Sequence, residues 1–122
     1  MLASKGFLWL MDGIIYFSNE PILGRHGFYD KKTDTAFVDG SWYDFNETAC
    51  TIFHELGHKL HLSTGIFQKV KVFWKYLDPD VRKQVNAYGQ QNPAEMMAEL
   101  FRLFIMGELS EDLGKWIAAY SR

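Results

Sequence analysis

A single cysteine, Cys50, in a chain of 122 residues excludes an internal disulfide and any cysteine cluster holding a metal within one chain. On a helical apolar run this thiol is expected to act as a small buried hydrophobe. Surplus basic charge is also missing. Thirteen Lys and Arg against fifteen Asp and Glu leave a formal net charge of -2, so no nucleic-acid partner is expected. No apolar run approaches the ~20 residues that a membrane helix needs, so no membrane partner is expected either. Lys5 ahead of Phe7–Met11 imitates a signal peptide, but Asp12-Gly13 interrupts the run and no small-x-small site follows. The expectation is a chain without its own export signal, cytoplasmic unless it is a domain of a longer exported protein. Repeats and low-complexity tracts are missing too. The hydrophobic share of 48% and aromatic share of 16% suit a globular core, and the length suits one domain over residues 1–122.

The elements fall in two groups. A short helix near the N-terminus is expected to lead into a strand at Ile14–Phe17. Gly27–Asp30 and Thr35–Val38 are β-prone runs around the polar Lys31-Lys32-Thr33-Asp34, the pattern of a hairpin. From about Asn46 the apolar period changes to 3.6: Cys50, Phe53, Leu56 and Leu60 trace one helical face that fades at Ser63-Thr64-Gly65. Further helices are expected over Ile66–Leu77 and Val81–Asn86. Asn92-Pro93 supplies an N-cap and a proline at the first helical position, opening a helix that runs through Met106 and stops at Gly107. Ser110, Glu111 and Asp112 start a last short one. The layout predicts an α+β domain, with a small antiparallel sheet packed on the central helix and further C-terminal helices.

That central helix carries His54-Glu55-Leu56-Gly57-His58. Residues four apart differ by about 40° around a helix, so His54 and His58 project from one face and can grip one ion. Glu55, turned about 100° from His54, stands beside such an ion, where a carboxylate can accept a proton from water. Gly57 lets another backbone come close. A catalytic zinc has three protein ligands and an open position, so a third is required. The residue six beyond His58 is Thr64, which excludes an extended three-histidine motif. His61 shares the azimuth but sits nearly two turns from His54, and is assigned to the surface or to a supporting position. Glu95 and Glu99 form a second i, i+4 pair on an otherwise apolar helix, costly to bury without a cation opposite. One of them can ligate the metal while the other orients an imidazole. The competing readings are a capping box for Glu95 and a solvated face for Glu99.

The "HELGH" run, followed by "YG" and by Asn92-x-Ala94-Glu95-x-x-Ala98-Glu99-x-Phe101-Arg102, resembles the catalytic domain of anthrax lethal factor and its relatives, including the Pro-Pro endopeptidases. The likeness spans roughly residues 51–103. It implies a minimal zincin-like metallopeptidase domain with one zinc per chain, held by His54, His58 and Glu95. Glu55 becomes the general base, Tyr88 an active-site phenol donating to the oxyanion, and Glu99 the support of the metal shell. The expected partner is a peptide or protein substrate bound in extended form, paired with an edge strand at Thr35–Val38. Two rivals remain: a zinc-dependent interaction module without turnover, and a regulatory peptidase that cleaves one repressor partner.

Overall fold

The computed structural model describes residues 2–19, 27–40, 45–66 and 92–122. Among these residues the chain is α+β. Two 3-10 turns, Ala3–Lys5 and Leu8–Asp12, precede strand β1 (Ile14–Ser18). Strands β2 (Gly27–Asp30) and β3 (Thr35–Asp39) follow, then helices α1 (Phe45–Ser63), α2 (Pro93–Ile105) and α3 (Glu111–Ala118). The helices expected over Ile66–Leu77 and Val81–Asn86 lie outside the described residues beyond Ile66.

The hairpin forms as its composition dictates. Asp30 accepts hydrogen bonds from the Lys32 amide at 3.0 Å and the Thr33 hydroxyl at 3.1 Å, tightening the turn. Asp34 closes it in the left-handed region at φ 48°, a conformation that Asp tolerates better than most residues. Phe28 pairs with Phe37 and Tyr29 with Ala36, antiparallel.

The sheet as a whole is mixed, which corrects the antiparallel expectation. Its order is β1-β3-β2, and β1 runs parallel to β3, with Ile14 opposite Thr35 and Phe17 opposite Val38. The hairpin occupies one side of β3 and leaves its other side to β1. β3 takes the centre because its short apolar run, with Ala36 and Val38 buried, accepts neighbours on both sides. Thr35–Val38 is therefore doubly paired and cannot serve as a substrate-binding edge. Among the described residues, β1 and β2 are the edges.

Helix α1 lies between the sheet and α2. Its apolar stripe of Phe53, Leu56 and Leu60 joins Met96, Met97, Leu100 and Phe101 of α2 in one buried cluster with Phe7 and Leu10. Phe7 meets Phe101 edge-to-face at 5.3 Å, a favoured aromatic geometry. The two helices come very close at Gly57. A Cβ placed there would stand 2.7 Å from Ala98 Cα and 2.9 Å from its carbonyl oxygen. No helix among the described residues is long and apolar enough to cross a membrane.

Candidate metal centre

The Gly57–Ala98 crossing sets the site, because each residue lies between the members of an i, i+4 pair, one position before the second: His54 and His58 on α1, Glu95 and Glu99 on α2. Asn92 caps α2 by accepting a hydrogen bond from the Glu95 amide at 3.0 Å. The Glu95 carboxylate turns instead to the histidines, with Oε2 2.8 Å from His54 Nε2 and Oε1 3.4 Å from His58 Nε2. The two Nε2 atoms are 3.2 Å apart. Among the described residues, His54, His58 and Glu95 thus form a group that can hold a metal ion, each offering one donor atom within 4.8 Å of the others.

The spacing fits the chemistry of such an ion. Ligand bonds of about 2.0–2.1 Å in a tetrahedron give donor–donor edges of about 3.3 Å, close to the separations found here. The tautomers agree. Glu99 Oε1 lies 2.7 Å from His54 Nδ1, so with Nδ1 donating to this carboxylate the Nε2 of a neutral His54 is the nitrogen that could face a metal.

Burial pushes His54 down, but its hydrogen bonds to Glu95 and Glu99 outweigh this and raise its pKa to about 9. Burial pushes Glu95 up, yet its bonds to His54 and His58 hold it well below the usual carboxylate range. Glu99 is lowered in the same way: burial opposes, while His54 and Arg102 prevail. The histidines and carboxylates form an ion-pair network of the kind a cation can replace.

Glu55 is buried and borders a cavity of about 160 Å³ together with His58, Glu95, Leu62 and three β2 residues, Gly27, Phe28 and Tyr29. A Cβ on Gly27 would approach Glu55 Cγ to 3.2 Å and Thr51 Cγ2 to 2.8 Å, so a glycine lets β2 sit directly over the carboxylate. β2 is tethered by its own side chains. The Tyr29 hydroxyl donates to Asp34 Oδ1 at 2.6 Å, and Lys59 Nζ on α1 reaches both Asp34 oxygens at 2.9 and 3.1 Å. These two donors hold Asp34 below its ordinary pKa, while burial and then Asp34 push the Tyr29 phenol up.

The structure brings His54, Glu55, His58, Glu95 and Glu99 together, and Tyr88 lies outside the described residues. Sequence reasoning missed Arg102 and left the place of His61 open between the surface and a supporting position. Arg102 Nε donates to Glu99 Oε2 at 2.8 Å, so Glu99 bridges a guanidinium and a ligand imidazole. An Arg three residues after a buried Glu on one helix is the signal that could have found it. His61 is not at the surface: it is 7% exposed, with Nε2 2.9 Å from His58 Nδ1. Burial and the neighbouring His58 lower its pKa to about 4, leaving the ring neutral near pH 7. Its i+3 spacing from His58 signalled the contact but not the burial. No family model, curated protein or solved structure matches the chain.

Proposed function

We propose that the chain is a zinc-dependent metalloendopeptidase, a reduced zincin-like domain of the lethal-factor type, with Glu55 as general base. The observation that carries this reading is the convergence of His54 Nε2, His58 Nε2 and a Glu95 carboxylate, with Glu55 buried beside them on the wall of one cavity. Two imidazoles and one glutamate form a known donor set of catalytic zinc, which keeps a position open. A structural site would usually close with a fourth protein ligand.

When bound, zinc would supply Lewis acidity, making water a stronger acid and polarising a peptide carbonyl. The protein's own groups do the remaining work. A Glu55 carboxylate oxygen accepts a proton from the attacking water and passes it to the departing amine nitrogen. Glu99 holds the His54 ring through Nδ1, and Arg102 Nε donates to the other Glu99 oxygen. By the resemblance, the Tyr88 hydroxyl donates to the developing oxyanion, a contribution on the order of 3 kcal/mol for such donors. β2 replaces the strand first expected to receive substrate. Among the described residues it is an edge, and it lines the cavity, so an extended peptide adding to it would run past Glu55 and His58.

The test pairs metal analysis with a Glu55→Ala variant on a peptide library. Both proteins should carry about one zinc per chain, and only the wild type should cleave. A wild type that takes up no zinc from a metal-replete medium would refute the metal centre. Zinc uptake without cleavage of any peptide would instead identify a zinc-dependent interaction module.

A further inference from the structure

We infer that His61 is a positioning residue for the metal centre: its Nε2 accepts the Nδ1 proton of His58 and thereby reserves His58 Nε2 for the metal. The inference rests on the metal-centre reading and extends it to a residue outside the ligand set. Three observations carry it.

The first is geometric. His54, His58 and His61 occupy positions i, i+4 and i+7, one stripe of α1, and their rings stack edge-to-face with centroids 4.8 and 5.1 Å apart. Within this ladder the contact is atom-specific, His58 Nδ1 to His61 Nε2 at 2.9 Å, a hydrogen-bond length. The second is the direction of donation. His58 Nε2 lies 3.2 Å from His54 Nε2 and 3.4 Å from Glu95 Oε1, so it belongs to the donor cluster and must present a lone pair there when a metal is bound. A neutral imidazole carries one proton, which then resides on Nδ1 and needs an acceptor. The third is symmetry of function. The other ligand, His54, solves the same problem with Glu99 Oε1 at 2.7 Å.

The two supports differ chemically. A carboxylate strengthens its imidazole as a donor, and a neutral imidazole does so less. His54 is thus the stronger base toward the metal and His58 the weaker one. His61 is also buried, which holds its ring in place beside His58.

Three proteins separate this role from packing: wild type, His61→Leu, which removes the acceptor, and His61→Gln, whose amide oxygen can replace it. Zinc affinity is measured by competition with a chromophoric chelator, and the fold of each metal-free protein by circular dichroism. His61→Leu should bind zinc about 10- to 100-fold more weakly, the usual effect of losing an outer partner, and His61→Gln should recover most of the loss. In zinc-loaded, 15N-histidine-labelled wild type, a coupling across the N–H···N bond should connect His58 Nδ1 with His61 Nε2. Equal zinc affinity of His61→Leu and wild type would overturn the inference and leave the metal centre standing. So would a Gln variant as weak as the Leu variant, or a proton found on His58 Nε2. A wild type that binds no zinc would bring down the metal centre and this inference together.

Discussion

Replacing Gly57 with alanine should open the crossing of α1 and α2 and loosen the metal centre with it. The added Cβ would stand 2.7 Å from Ala98 Cα, 2.9 Å from its oxygen and 3.2 Å from its carbonyl carbon. Carbon atoms are comfortable at about 3.5–4.0 Å, so the helices must separate by about 1 Å. The atoms in the way are backbone, and no rotamer change can relieve the clash. Because Gly57 lies between His54 and His58, and Ala98 between Glu95 and Glu99, the shift acts directly on the His54–Glu99 and His54–Glu95 contacts of 2.7 and 2.8 Å. Widened by about 1 Å, neither remains a hydrogen bond. Alanine returns about 0.5–1 kcal/mol of helix propensity. Overpacking costs about 1–3 kcal/mol, and each charge-assisted bond lost about 1.5–3 kcal/mol. The net is a loss of at least roughly 3 kcal/mol in the metal-free protein, with zinc affinity reduced at least about tenfold. Urea unfolding and chelator competition read the two effects separately. A Gly57→Ala protein as stable as wild type, with unchanged zinc affinity, would refute the close helix approach as the device that assembles the site.

Three further outcomes follow from the same geometry. Glu99→Gln should weaken zinc binding by about 10- to 100-fold, measurable by titration calorimetry, because His54 loses its anionic partner and Arg102 its nearest carboxylate. The metal-free protein should lose stability as pH rises. His54 has a folded pKa of about 9 against 6.5 unfolded, so its contribution is complete below 6.5 and disappears through about 9. Urea midpoints across that window should fall in wild type and stay flatter in His54→Gln. Asp34→Ala strands the buried Lys59 ammonium and should cost about 3 kcal/mol, whereas Lys59→Met, which leaves a half-exposed carboxylate, should cost clearly less in the same unfolding assay.

Much of the local structure is legible in the chain. The change of period near Asn46, the Asn92-Pro93 cap and the polar turn between Asp30 and Thr35 each describe interactions among residues a few positions apart. Such interactions leave a one-dimensional trace, and α1, α2 and the β2–β3 hairpin appear where that trace places them. The pairing of His54 with His58, and of Glu95 with Glu99, is legible for the same reason. Even Gly57 announces a close approach, although not the identity of Ala98.

The order of the strands is another matter. Short β-prone runs mark β1 and β3 as strands without saying which is interior, so Thr35–Val38 reads equally as an edge or a centre until pairing on both sides decides it. His61 shows the same limit at the site. Its azimuth places it above His58, but whether that face meets water or protein depends on the surroundings of α1's last turns. Arg102 becomes part of the centre only because Glu99 faces α1. Periodicity chose the residues and their faces. The partner met by each face was chosen by long-range burial, which assigns each apolar surface to another element and has no local signature in the chain.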